Sequence, residues 1–535
     1  MNIIIFRLRY LLVLSCSVCF SPLTFGATVS PDELDQVAGN VAGAIEHCDE
    51  VIDEEQGFQA IFDCGDELFE TRFNALDGVG MDVGDGGRFT RVPRADLANW
   101  SSTNPPRATG PNAEACNICH VAESIGNAGD GAGPAGLNVI RDPQNSAFPG
   151  SFIQRNTPHL FGMAGPQLLA EEMNADLEDI VRNTKVLACI TNRTRTASLT
   201  TKGVNFGSVT VVPKFFLCLQ RADVFINAQG VTDDLIVRPF QWKGVVATVR
   251  DFSVDAFHNE LGMDAVELSG DDVDGDFDGI PNEISIDDAT AMAIYLAAQP
   301  RPSSLVELNA LRNRLINDFG EEGEEEADEL GLPALSAADL AQIARGEQTF
   351  GAIGCSDCHR PSLKVNNVTF KEPSSNPNYR QTTFRGGQNA AASGVDPANP
   401  FTFNITADQP DNMIEVDGVE VAHLGPFETD AAGRAIVRLY GDLKLHDMGP
   451  RLAENIDETG SGASVWMTKE LWGLANTAPY LHDGRATTIE EAIIEHGGEA
   501  ENSRQNFSGL NDGDQDDVLA FLNNLVLFFA GEEEE

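Results

Sequence analysis

Basic residues are scarce in this chain. Its 535 residues carry 35 Lys and Arg against 83 Asp and Glu, a formal net charge of −48 at pH 7. That imbalance excludes nucleic acid as a partner, because phosphate backbones are held by clustered Lys and Arg. It equally disfavours an anionic membrane surface. It suits a soluble protein in a salty medium and would steer a positively charged redox partner at low ionic strength. Long hydrophobic runs are also missing. Beyond residue 27 no apolar stretch could span a bilayer, so no stable membrane insertion is expected. Histidine is rare, with nine residues in all, so chemistry that needs imidazole has few places to occur.

Residues 1–27 begin with Arg7 and Arg9, continue as an apolar run from Tyr10 to Phe20, and end in small residues at Thr24, Gly26 and Ala27. This is the pattern of a secretory signal cleaved near Gly26 or Ala27, which makes the mature chain periplasmic or secreted. Cys16 and Cys19 leave with the signal. Cys48, Cys64, Cys189 and Cys218 form an even set in an oxidising compartment, and proximity along the chain pairs Cys48 with Cys64 and Cys189 with Cys218.

The remaining four cysteines lie in Cys116-Asn-Ile-Cys119-His120 and Cys355-Ser-Asp-Cys358-His359. C-x-x-C-H is the attachment signature of a c-type haem. Two cysteines on one turn can both reach the vinyl groups of a porphyrin as thioethers, and the adjacent histidine supplies the proximal imidazole. A redox-active or zinc-binding C-x-x-C accounts for neither the paired histidines nor the second copy. Two covalently bound c-type haems are expected.

The motifs divide the chain. After the signal, residues 28–105 read as an N-terminal extension packed on the first haem domain, residues 106–300. Residues 301–335 form an acidic linker whose run Gly320 to Glu326 should stay solvated. Residues 336–535 form the second haem domain, which opens with a capped helix after Ser336, closes with helical apolar spacing from Val518 to Phe529, and ends in an acidic tail. The fold class expected is mainly α: two cytochrome c-like haem domains, related as a divergent repeat, with loop-rich insertions.

Each iron needs a further ligand. Beyond the proximal pair the histidines are His47, His159, His258, His423, His446, His482 and His496. Thr488 and Glu491 form a capping box, and Gly497 is a helix stop, so His496 falls at a helix end. A histidine there is by itself more often a surface residue that satisfies the helix dipole. His446 and Met448, in His446-Asp-Met448-Gly449-Pro450, are alternatives.

The block Trp472-Gly-Leu-Ala-Asn-Thr477-Ala-Pro479-Tyr-Leu-His482-Asp-Gly-Arg485 resembles the T-A-P-Y-F-H-D-G segment of bacterial di-haem cytochrome c peroxidases. Those enzymes carry a distal Met at the spacing where this chain has His496. The related tryptophylquinone-maturing di-haem enzyme has Tyr there. The resemblance thus makes His496 the sixth ligand of a His359/His496 iron, and imidazole in place of thioether implies a lower potential. Over most of residues 110–530 the chain is most similar to the large bacterial di-haem oxidoreductases, through T-P-H-L-F-G, H-D-M-G and H-D-G-R-A-T-T with H-G-G-E-A.

In the first half, Arg155-Asn156-Thr157-Pro158 resembles the peroxidases' N-T-P and Phe240-Gln-Trp242-Lys-Gly their F-W-D-G. By that likeness Trp242 couples the haems. Asp255-Ala-Phe-His258-Asn-Glu260-Leu-Gly262 is similar to the segment bearing the distal acid, which makes Glu260 the general acid/base that moves a proton between the peroxide oxygens. His258 is a spare distal candidate, and Phe252 departs from a family Gln. The lack of histidine between His120 and His159 implies an open first iron, with His258 or Met163 as the residues that would cap it.

Calcium is expected twice. Asp272, Asp274, Asp276, Asp278 and Glu283 lie in a D-x-D-x-D-G-like loop. The peroxidase likeness places an interhaem calcium at Asn156, Thr477 and Pro479. Together these features imply a peroxidase-like oxidoreductase using hydrogen peroxide or another small oxidant. Its electrons would come from a small donor protein, a cytochrome c or cupredoxin, and a second copy of the chain is a further candidate partner. A di-haem oxygenase, a protein- or cofactor-oxidising enzyme and a non-catalytic electron carrier are the competing readings.

Overall fold

The computed structural model describes residues 47–53, 57–74, 76–82, 88–89, 113–120, 138–141, 153–214, 222–275, 279–384, 387–407, 413–416, 419–455, 457 and 459–527. The signal segment, Cys218, Asp276, Asp278 and the acidic tail lie outside them.

Two helix pairs, one in each half, are built alike. In the first half α1 (Phe58–Glu70) crosses α4 (Ile286–Ala298), and in the second half α7 (Ala337–Ala352) crosses α10 (Asp512–Asn523). Each crossing is set by a glycine. A Cβ on Gly65 would sit 2.4 Å from the Ala291 carbonyl, and one on Gly346 would sit 1.9 Å from that of Asp517. Four residues on, Phe69 meets Tyr295 at 5.4 Å between ring centroids and Phe350 meets Phe521 at 5.3 Å. The same two phenylalanines face the haem-motif histidines, Phe69 at 6.1 Å from His120 and Phe350 at 6.4 Å from His359. Helix α1 of the N-terminal extension packs on α4 of the first half. It plays for the first motif the part that α7 plays for the second.

Between the members of the first pair lie α2 (Ala164–Thr191), a three-stranded antiparallel sheet and α3 (Val249–Ala256). The sheet has the order β1 (Arg195–Thr201), β2 (Val204–Pro213), β3 (Ala222–Ala228). It was not expected from a mainly helical reading. Its residues alternate β-branched and polar, and β2 buries Val204, Phe206, Val209 and Val211 on one face. Further strands of the second half form two-stranded ladders: β4 (Leu363–Val365) with β7 (Ala435–Val437), β5 (Thr369–Glu372) with β6 (Phe401–Asn404), and β8 (Leu445–Asp447) with β9 (Val465–Met467). The molecule is thus helical with substantial strand content.

The acidic stretch is a second departure. It forms a helical hairpin, α5 (Leu305–Phe319) and α6 (Glu321–Glu329), which buries Leu308, Leu311, Leu315 and Ala327. Glu321, Glu322, Glu324 and Glu325 do stay exposed. The hairpin forms because Gly323 lets α6 lie against the Leu315 carbonyl, where a Cβ would come within 2.1 Å.

Candidate active site

Both C-x-x-C-H motifs fold as one tight turn. In the first, the Cys119 and His120 amides bond the Cys116 carbonyl at 3.1 and 3.0 Å; in the second, the His359 amide bonds the Cys355 carbonyl at 3.0 Å. Burial pushes the thiols of Cys116, Cys119 and Cys355 up to about 12, with the neighbouring Glu260 carboxylate adding to the effect at Cys119.

The first turn opens on a cavity of about 150 Å³. Phe69, Leu160, Phe257, Leu261, Met292 and Leu296 give it apolar walls, and Cys116, Cys119 and His120 form one end. Into it come Trp242 and Glu260, from separate segments. Glu260 lies in a single π-helical turn, Phe257–Leu261, that continues α3, and its side chain is half-buried. Such turns bulge a residue out of the helical ladder and recur at functional sites. Met292 is a wall residue: it follows Ala291 on α4 as Val518 follows Asp517 on α10, inside the repeated helix crossing.

His258 and Met163 are not brought to the cavity. His258 is buried with Nδ1 2.9 Å from Asp264 Oδ1, and Met163 is buried at the start of α2. One pair escaped the sequence reading. Gln241 donates to Asp255 at 2.6 Å, and both line the cavity beside Phe252. Gln241 is held at φ 62° in the turn before Trp242.

Trp242 donates its indole N–H to the Asn156 carbonyl at 2.8 Å. Asn156 in turn donates its side-chain amide to the Pro479 carbonyl, and its backbone N–H bonds the His482 carbonyl at 2.7 Å. The N-T-P and T-A-P-Y-L-H motifs therefore meet directly behind Trp242. Of the proposed interhaem ligands, Asn156 and Pro479 are in contact, while the Thr477 hydroxyl bonds the Leu474 carbonyl.

At the second turn His359 and His496 face each other with ring centroids 6.4 Å apart. His359 Nδ1 bonds the Tyr440 carbonyl at 3.0 Å, and His496 Nδ1 bonds the Ala492 carbonyl at 2.7 Å. A carbonyl can only accept, so each Nδ1 carries the proton and each Nε2 keeps its lone pair. Two imidazoles each about 2 Å from a shared metal have centroids roughly 6 Å apart once the ring offsets are added. Burial, and the facing His496, hold His359 down at about 4; burial lowers His496 too. Both rings are therefore neutral, and the spacing is that of two imidazoles that could hold one iron between them.

Three further histidines are engaged elsewhere. His446 bonds Glu499 through Nδ1 at 2.8 Å and Asp442 through Nε2 at 3.0 Å, which removes it as an iron ligand. His159 has both nitrogens on backbone partners at Trp472 and Phe161. His482 stacks on Trp466 at 3.8 Å between ring centroids.

In the acidic loop, the Asp272 amide bonds Asn282 and the Gly279 amide bonds Asp274, at 2.9 and 3.0 Å. Glu283 is buried and accepts from the Asp264 amide at 2.8 Å. Cys48 and Cys64 form a disulfide, and Cys189 is disulfide-bonded. No helix of the described residues is long and apolar enough to cross a membrane.

Residues 423–525 match the family model described as "Di-haem oxidoreductase, putative peroxidase". A search of curated proteins finds no match. Among solved structures, hydrazine synthase of Kuenenia stuttgartiensis aligns over 97% of this chain and 100% of its own, at 12% identity and a TM-score of 0.33. A MauG-like protein associated with microbial copper homeostasis aligns over 54% of this chain and 68% of its own, at 16% identity and a TM-score of 0.23. Superpositions this loose carry no argument about mechanism. The matched stretch, which is confined to residues 423–525, holds His446, the T-A-P-Y-L-H-D-G-R block and His496, and there the chain is similar to that family.

Proposed function

We propose that the chain is an exported, peroxidase-like c-type oxidoreductase that reduces hydrogen peroxide, or another small oxidant, in the cavity beside His120. The observation that carries this reading is the convergence of His120, Trp242 and Glu260 on one cavity from three separate segments. Cys116 and Cys119, and Cys355 and Cys358, would hold two haems covalently. Haem held beside His120 would supply the redox equivalents for breaking the O–O bond, and haem held by His359 and His496 would store and relay electrons.

The protein's own part is proton and electron placement. Glu260 accepts the proton of the inner peroxide oxygen and returns it to the outer one, which leaves as water. A positioned acid/base of this kind is worth about 10²–10⁴-fold in rate. Gln241, fixed by Asp255, offers an amide donor for orienting the oxidant. Trp242 joins the cavity wall to the Asn156–Pro479 contact, and so to the segment that leads to His496. Calcium at the acidic loop (Asp272, Asp274, Asp276, Asp278, Glu283) and at Asn156, Thr477 and Pro479 would brace these elements. The strongly acidic surface suits a basic electron-donor protein, a small cytochrome c or cupredoxin.

The test is to mix the reduced holoprotein with hydrogen peroxide and follow both haems by stopped-flow absorbance and EPR. Rapid oxidation in the wild type, slowed by about 10²-fold or more in Glu260→Gln, supports the reading. Product formation from an organic substrate and oxygen without added electrons would instead mark an oxygenase. No reaction with peroxide would leave an electron carrier.

A further inference from the structure

The H-D-M-G element offers two residues of ligand type, yet neither nitrogen of His446 is free for iron. Its surroundings point to a different task. The Glu499 carboxylate accepts the His446 Nδ1 proton at 2.8 Å through one oxygen, and the Asp447 backbone N–H at 3.1 Å through the other. Glu499 stands three residues after His496. On the near side of His496, Arg451 pairs with Glu495 at 2.6 Å. The turn between them packs against the backbone of Asp447 and Gly449. A Cβ on Gly498 would fall 2.0 Å from the Asp447 carbonyl, and one on Gly449 would fall 2.8 Å from the Gly498 amide. The other end of the same segment holds the opposite ligand: the Tyr440 carbonyl takes the His359 Nδ1 proton, and Asp442 anchors His446 from behind.

We propose that residues 440–451 are a strap that sets both axial histidines of the second iron, and that Glu499 is the tie fastening His496 to it. The proposal rests on the reading of His359 and His496 as ligands. His496 needs such a tie. It caps α8 (Ile489–Glu495), a helix of two turns, with its own φ and ψ already extended at −60° and 133°. A two-turn helix is marginal by itself and cannot fix its last residue. The contacts differ in weight. Arg451 is 46% exposed, and a surface pair of that kind contributes little. His446 is 9% exposed, with Asp442 at Nε2 and Glu499 at Nδ1, where Cys358 Sγ also lies at 4.0 Å; Glu499 is itself 55% exposed, so its weight comes from joining the His446 imidazole and the Asp447 backbone N–H at once. Glu499, with its carboxylate on a buried imidazole and a backbone N–H, is therefore the positioning residue, and Arg451 is an accessory.

The experiment compares Glu499→Ala, Arg451→Ala and His496→Ala in the diferric holoprotein, by low-spin EPR and by carbon monoxide binding to the reduced form. Hydrogen exchange of residues 495–500 gives a readout independent of the haem. Glu499→Ala is expected to convert second-haem signal from low- to high-spin, open that iron to carbon monoxide, and speed exchange of the turn by roughly tenfold or more. Arg451→Ala should change each only slightly. Gly498→Ala, which forces the turn off the strap without touching a charge, should reproduce the Glu499→Ala result. Where the alanine variants do not accumulate, Glu499→Gln keeps an oxygen toward the Asp447 amide and must show the same change, smaller. If His496→Ala alters the spectra while Glu499→Ala and Gly498→Ala leave them unchanged, the strap is wrong and the ligand reading stands. If His496→Ala leaves the low-spin signal intact, the ligand reading fails and the strap falls with it.

Discussion

His359 and His496 meet ring to ring at 6.4 Å, each with Nδ1 committed to a backbone carbonyl and Nε2 left for a metal. A centre with two such donors is closed to small ligands and tuned to a low potential. Replacing one imidazole by thioether raises the potential, because sulfur stabilises the ferrous state. His496→Met should therefore keep the second haem low-spin and shift its midpoint upward, as read by a spectroelectrochemical titration. A downward shift would show that His496 is not on the iron.

Trp242 touches the first cavity with its ring and the T-A-P segment through Asn156. Trp242→Phe removes the indole N–H but keeps an aromatic wall. The expected outcome is a split effect: reaction of the first haem with peroxide is retained, and re-oxidation of the second haem slows by about tenfold or more. Stopped-flow traces at wavelengths that separate the two haems decide it. Parallel slowing of both phases would reduce Trp242 to a packing residue.

The parts of this site that the sequence revealed are those fixed within a few residues. The C-x-x-C-H turns, the Thr488–Glu491 capping box and the Ser336 cap all close over three or four positions, so spacing alone specifies them. What stayed hidden depends on distant partners. Gly65 and Phe69 mirror Gly346 and Phe350, but an insertion separates the first pair from its haem motif, and no local signal joins them. Gln241 and Asp255 look ordinary until the chain folds. His446 misleads for the opposite reason: its residue type suggests a ligand, and only Asp442 and Glu499 reveal that both nitrogens are taken.

Cys64 sits inside α1, and Cys48 leads into it through the disulfide. The Cys48 amide and the His47 ring both bond Asp288 at the start of α4, so the bridge locks the helix pair behind His120. The closed loop has a sequence separation of 16, for which the chain-entropy model gives about 3 kcal/mol. The Cys48→Ser, Cys64→Ser variant should lose about that much in urea unfolding, measured after haem content is matched.

The acidic loop adjoins the Glu260 turn through Asp264, which takes His258 on its side chain and presents its amide to Glu283. Calcium bound there stabilises by mass action, about 2.7 kcal/mol at a hundredfold excess over the dissociation constant. Chelation should lower the melting temperature, and added calcium, but not magnesium, should restore it because the loop offers more oxygens than an octahedral ion takes. An Asp272→Asn, Asp274→Asn variant that responds to chelation like the wild type would place the ion elsewhere.

The Arg250 guanidinium, buried in α3, is shared between Glu267 at 2.5 Å and Glu372 at 3.0 Å, with Thr290 and the Ile286 carbonyl taking its other N–H groups. One cation faces two buried carboxylates, so burial outweighs the attraction of Arg250 and pushes Glu372 up from 4.5 to about 7. The folded chain then holds a proton that the unfolded chain releases. Between pH 4.5 and 7 the native state binds more protons, and stability falls as pH rises through that window. Glu372 lies on β5 in the second half, whereas Arg250 lies on the helix that runs into the Glu260 turn. Loss of that proton therefore loads the contact between the halves and the cavity wall together. Glu372→Gln keeps an oxygen toward Arg250 and removes the titrating group. Its unfolding free energy, measured in urea at steps from pH 4.5 to 8, should decline less than that of the wild type. Parallel profiles would mean that Glu372 is ionised across the whole range and that Arg250 neutralises it.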